Sequence, residues 1–131
     1  MANILVIDDD PAMRRMIDRI LTGAGHQVTE AVNGVDGMKK FRAAAPEIVV
    51  TDIVMPDQEG IETIMKMRAT GSRIGIIAIS GGGHGSAGDY LLAARGLGAD
   101  AILAKPFRPD ELTALVEHLL VGGGSAAGGA G

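Results

Sequence analysis

The chain has 131 residues, with sixteen acidic and twelve basic side chains, a net charge of −4, 47% hydrophobic residues and only 2% aromatics. That length holds one domain around a single core, here necessarily aliphatic and methionine-rich, and the acidic balance argues against nucleic acid as the main partner. No cysteine is present, which excludes a disulfide framework, a thiolate metal site and a thiol nucleophile; no apolar run approaches the roughly 18 residues of a membrane span, so a cytoplasmic protein without a membrane partner is expected.

Five short apolar runs recur, at 3–7, 27–31, 47–51, 74–79 and 101–104, with helical periodicity between them. After the first run, Asp10-Pro11 opens a helix, with Asp10 as N-cap and Pro11 at the first helical position. Met13, Met16, Ile17, Ile20, Leu21 and Ala24 form its apolar face. The second run, Gln27-Val28-Thr29-Glu30-Ala31, alternates in polarity and suits an edge strand. Val35, Met38 and Phe41 mark a helix after Asn33-Gly34. Beyond the third run, Ile61, Ile64 and Met65 mark another, with Asp57 as its cap. Tyr90, Leu91, Ala94 and Leu97 mark the fourth helix. The fifth begins near Pro109, with Asp110 and Glu111 suiting its dipole, and carries Leu112, Leu115, Val116, Leu119 and Leu120. Gly122 is expected to stop it, leaving 122–131 as a flexible Gly/Ala/Ser tail after a domain of residues 1–121. Alternating strands and helices give a doubly wound parallel α/β sheet, its first, third and fourth strands apolar on both faces and therefore central.

Polar residues cluster where strands end. Ile4-Leu5-Val6-Ile7 runs into Asp8-Asp9-Asp10, Ile48-Val49-Val50-Thr51 into Asp52, and Ala101-Ile102-Leu103-Ala104 into Lys105-Pro106. In open parallel sheets, the carboxyl edge of the strands is where ligands bind. Asp10 alone reads as a cap, but Asp8 and Asp9 need another role, since one helix takes one cap. Three converging carboxylates repel, and protonation or a cation relieves them. Hard oxygen donors without nearby histidine or cysteine favour Mg²⁺, or Mn²⁺, over zinc. Lys105 supplies a counter-charge able to hold a phosphoryl oxygen. Ser80, after Ile76-Ile77-Ala78-Ile79, supplies a hydroxyl, although alone it would read as a turn residue.

Taken together, VIDDD, TDIVMP, AISG and LAKPF, in this order and spacing, resemble the receiver domain of bacterial two-component response regulators over roughly residues 1–121. The resemblance implies a flavodoxin-like (βα)5 fold with strand order 2-1-3-4-5. It implies phosphorylation of Asp52 by a sensor histidine kinase or histidine phosphotransfer protein, with Asp8, Asp9, Asp52 and the backbone carbonyl of Val54 holding Mg²⁺. Ser80 and Lys105 would hold the phosphoryl group, the Lys105-Pro106 peptide would be cis, and the fourth helix, fifth strand and fifth helix would meet a downstream target. Such a chain is not an enzyme but a phosphoacceptor that assists its own phosphoryl transfer and dephosphorylation. With no output domain after residue 121, a single-domain regulator or phosphorelay intermediate is expected.

Two features depart from that pattern. Ile102 stands where the family carries an aromatic switch residue, and an isoleucine has neither hydroxyl nor rotating ring. The glycine-rich stretch 81–88 lengthens the segment after Ser80, so its ordering through Ser80 is expected to replace the aromatic movement. Val54 and Gly82 offer no polar side chain to orient water, which predicts slow hydrolysis of the acyl phosphate.

Three other readings compete. Gly83-x-Gly85-x-x-Gly88 has the spacing of a dinucleotide fingerprint but follows the fourth strand and lacks the ribose-binding acid. An aspartate-nucleophile phosphatase would use Asp8-x-Asp10, Ser80 and Lys105, but leaves Asp52 without a role. An unphosphorylated receiver-fold adaptor would need no intact acid pair. His26, His84 and His118 are scattered and read as incidental.

Overall fold

The computed structural model describes residues 2–53, 59–80, 96 and 98–128, of which Glu59 and 122–128 are described by backbone alone. In chain order the elements are β1 (Asn3–Ile7), α1 (Pro11–Gly23), β2 (Gln27–Ala31), α2 (Gly34–Ala44), β3 (Ile48–Asp52), α3 (Glu59–Ala69), β4 (Gly75–Ser80), β5 (Ala101–Ala104) and α4 (Pro109–Gly128). The strands form one sheet in the order β2-β1-β3-β4-β5, and all four pairings are parallel. This is the flavodoxin-like order expected from the sequence. The expected cap Asp57, the fourth helix around Tyr90–Leu97, the stretch 81–88 and the Val54 carbonyl lie outside the described residues.

Alternation along each strand divides the core in two. Leu5, Ile7, Val49, Ile76 and Ala78 face Met38, Phe41, Ile64 and Met67 of α2 and α3. Ile4, Val6, Ile48, Val50, Ile77 and Ile79 face Ile17 and Leu21 of α1 and Leu112 and Val116 of α4. A strand buried on both faces needs apolar residues at consecutive positions, and β1, β3 and β4 meet that demand. β2 does not, and it forms one edge.

Asp10 caps α1 as its sequence suggests, its side chain accepting the Ala12 N–H at 3.0 Å, with Pro11 behind it. Three details correct the sequence reading. Met16, Val35 and Met65, assigned to inward faces, are 40%, 74% and 49% exposed, and Ala24 is an exposed cap residue. On α2 Met38 and Phe41 face inward as expected, and Gly34 and Gly37, not Val35, share that face. A Cβ on Gly37 would lie 2.5 Å from Ile7 Cδ1, so glycine lets this helix approach the sheet and turns Val35 outward. The last helix also continues past Gly122 to Gly128. Glycine lowers helix propensity but keeps its N–H, so it weakens the ladder without breaking it. Among the described residues, no helix is long and apolar enough to cross a membrane.

Candidate functional site

The strand order reverses beside β1, so its neighbours β2 and β3 leave it in opposite directions. A crevice at the carboxyl ends of the strands is the geometric result. Parallel register brings Ile7 opposite Thr51, which sets Asp8 and Asp52 side by side, one residue further on. Pairing of Ser80 with Ala104 brings Lys105 to the same edge, where its N–H donates to the Ser80 carbonyl at 2.8 Å. The Lys105-Pro106 peptide is cis.

Oxygens of Asp8, Asp9 and Asp52 lie within 4.8 Å of one another, two of these residues buried and Asp9 exposed. Lys105 Nζ lies 3.2 Å from Asp52 Oδ2 and 4.0 Å from Asp8 Oδ2, at the end of a side chain only 18% exposed. Asp8 Oδ1 accepts the Asp10 N–H at 2.9 Å, whereas Asp8 Oδ2 is buried without a hydrogen-bond partner. Burial is the main force raising the Asp8 carboxyl from 3.8 to about 6; the Asp10 N–H opposes it, and the Asp52 charge adds to it. One lysine cannot balance three carboxylates. An orphaned buried carboxylate oxygen, beside two other hard donors, fits a small divalent cation such as Mg²⁺ or Mn²⁺. Ser80, fully buried, occupies the end of β4 beside this cluster. Ile102 lies on β5, partly buried against the α2–α3 side of the core. Thus Asp8, Asp9, Asp52, Ser80 and Lys105 sit on or beside this edge, whereas Ile102 lies inside β5, paired with Ala78.

The sequence reading gave no role to two residues that the structure ties to the acids, Gly60 and Arg14, or to His26, which is fixed at the opposite, amino edge of the sheet. Gly60, in the first turn of α3, leaves no room for a side chain: a Cβ would collide with the Asp52 carbonyl oxygen and sit 2.5 Å from Ile53 Cα. Arg14 of α1 donates from Nη1 to the Asp8 carbonyl at 2.9 Å and from Nε to Glu30 Oε1 at 2.8 Å. His26, taken as incidental, is buried; its Nδ1 accepts the Ala2 N–H at 3.1 Å, and its Nε2 lies 3.2 Å from Glu117 Oε2 of α4. An arginine in the first turns of an amphipathic helix gives no hint of which carbonyl it reaches. His118 stays on the exposed side of α4, and His84 lies outside the described residues.

Known proteins share this fold. The sequence pattern of the response regulator receiver domain matches residues 4–117. The response regulator MprA of Mycobacterium ulcerans (strain Agy99) is 34% identical over 117 residues, covering 89% of this chain and 49% of that protein. The chain therefore spans about half the length of the curated relatives it matches. Among solved structures, a CheY-like receiver domain protein from Methanospirillum hungatei JF-1 superposes with a TM-score of 0.84 at 26% identity, covering 96% of this chain and 98% of that one. NtrX from Brucella abortus, solved in complex with ADP, gives a TM-score of 0.84 at 26% identity over 93% of this chain and 26% of its own.

Proposed function

We propose that this chain, which belongs to the response regulator receiver domain family, accepts a phosphoryl group on Asp52 from a phosphohistidine of a sensor kinase or phosphotransfer protein. One observation carries the reading: three acids converge within 4.8 Å at the carboxyl edge of the sheet, with Lys105 Nζ 3.2 Å from Asp52 Oδ2. An Asp52 oxygen attacks phosphorus in line, the P–N bond to the donor imidazole breaks, and the departing nitrogen keeps the electron pair and takes a proton. The barrier is mainly electrostatic and positional, because anionic oxygens must approach an anionic carboxylate. Mg²⁺ held by Asp8, Asp9 and Asp52, with the Val54 carbonyl as a further ligand, would neutralise that charge. Lys105 is already in reach of Asp52 and would follow the transferred oxygens, and Ser80 would donate its hydroxyl to one of them. The product acyl phosphate is reactive, which suits a reversible signal, and slow hydrolysis is expected because Val54 and Gly82 offer no polar side chain to orient water.

We assign output to binding of a downstream protein, or to onward transfer of the phosphoryl group, in the bacterial cytoplasm. The described part of the expected partner face includes a groove of about 550 Å³ lined by Ile102, Leu103, Glu111, Ala114, Leu115 and His118. Ile102 brings no ring to that face, so Ser80 carries the structural signal. The test is Mg²⁺-dependent labelling by acetyl phosphate. The wild type is expected to form one acid-stable, base-labile acyl phosphate, and Asp52→Asn none. Absence of labelling in the wild type would replace this reading with an unphosphorylated adaptor.

A further inference from the structure

We infer that Arg14 is a positioning residue for the acid pair, acting through the peptide bond that joins Asp8 to Asp9. The inference rests on the metal-binding reading of that pair and extends it to a residue outside the crevice. The carbonyl that Arg14 Nη1 holds at 2.9 Å belongs to the Asp8–Asp9 peptide. The orientation of that one plane sets the directions in which both carboxylates leave the backbone. On its other side, Asp8 is fixed by its own N–H, which donates to the Ala31 carbonyl of β2 at 3.2 Å. With Oδ1 held by the Asp10 N–H at 2.9 Å, Asp8 is restrained at its N–H, its carbonyl and one carboxylate oxygen. The other carboxylate oxygen is left for a ligand.

Arg14 is itself held. Its side chain is 12% exposed, and Nε pairs with Glu30 Oε1 at 2.8 Å. The Glu30 backbone is anchored in turn, its carbonyl accepting Lys40 Nζ at 2.7 Å, while that ammonium lies 3.1 Å from Asp36 Oδ2. A polar chain thus runs from α2 across the edge strand to the acid pair. A guanidinium suits the task because its planar fork places two donors at a fixed angle, one for Glu30 and one for the Asp8 carbonyl. A lysine offers a single flexible head. Groups that orient metal ligands without touching the metal typically change affinity by about 10–100-fold when removed.

A purely structural role predicts something else, and Arg68 supplies the comparison. It donates to the Gly98 carbonyl at 2.8 Å and the Ile74 carbonyl at 2.9 Å, and pairs with Asp100 at 2.6 Å. All of these lie at the amino ends of β4 and β5, away from the acids. The experiment measures Mg²⁺ dissociation constants by calorimetry, thermal midpoints by circular dichroism, and metal-free amide spectra for wild type, Arg14→Met, Arg14→Lys and Arg68→Met. Arg14→Met is expected to weaken Mg²⁺ binding about 10-fold or more and to move the Asp9 and Asp10 amides. Arg14→Lys should stay weakened despite its charge, and Arg68→Met should lose thermal stability with Mg²⁺ affinity unchanged. If Arg14→Met does not fold, Arg14→Lys carries the same comparison. Wild-type affinity in either Arg14 variant, or an equal loss in Arg68→Met, overturns the inference. A wild type that binds no Mg²⁺ overturns the metal reading instead, and the metal-free amide shifts then decide the positioning role by themselves.

Discussion

Replacing Gly60 by alanine separates the chemistry of Asp52 from the stability of the fold. The new methyl would stand 2.5 Å from Ile53 Cα and against the Asp52 carbonyl. Carbon atoms in good contact sit about 3.5–4.0 Å apart, so α3 or the end of β3 must move by about 1 Å. Neither obstacle is a side chain that can rotate away. Overpacking of this kind costs on the order of 1–3 kcal/mol of stability, and a 1 Å misplacement of a reacting group costs about 10²-fold in rate. The control is Gly37→Ala, whose methyl meets Ile7 Cδ1 at the same 2.5 Å. There the obstacle is the end of a flexible side chain, so stability should fall while Asp52 stays in place. Denaturant unfolding measures the first quantity and the rate of Mg²⁺-dependent labelling by acetyl phosphate the second. Labelling of Gly60→Ala within threefold of wild type, or an equal loss in Gly37→Ala, would refute this reasoning.

Three further outcomes follow from the charges in the crevice. Because burial raises the Asp8 carboxyl from 3.8 to about 6, the metal-free folded state binds more protons than the unfolded state across that interval. This group's contribution to stability is therefore fully present below about pH 4 and lost as pH rises through about 6, a difference on the order of 3 kcal/mol. Asp8→Asn should remove that component and stabilise the metal-free protein at pH 7; an unchanged stability-versus-pH curve would contradict this linkage. Mg²⁺ affinity should fall about tenfold per pH unit below 6, as protonation competes for the same oxygens. Lys105→Met removes the cation 3.2 Å from Asp52, so Mg²⁺ should bind severalfold more tightly while labelling falls by about 10²-fold or more. Parallel changes in the two readouts would show that Lys105 only balances the acids.

Much of the architecture is legible in local patterns. Alternation of short apolar runs with 3.6-residue periodicity gives a parallel α/β sheet, and continuous apolarity in β1, β3 and β4 against alternation in β2 separates centre from edge. Strand ends shift by one residue, from 47–51 to 48–52 and from 74–79 to 75–80, because a strand ends where its pairing stops. Met16, Val35 and Met65 show where periodicity fails: it tells which residues share a helix face, not which part of that face a neighbour covers.

The same division holds at the site. Asp8, Asp9, Asp52, Ser80 and Lys105 are visible in the sequence because each breaks an apolar strand abruptly, at the edge where a parallel sheet places its ligands. What holds them is invisible there. The contact of Gly60 with Asp52 and the reach of Arg14 to the Asp8 carbonyl depend on helix–sheet distances of a few ångströms. Composition and spacing determine the set of groups brought to one edge of the sheet. Only tertiary packing decides their orientation, since hydrogen bonds and steric contacts between elements distant in sequence depend on positions that local patterns leave open.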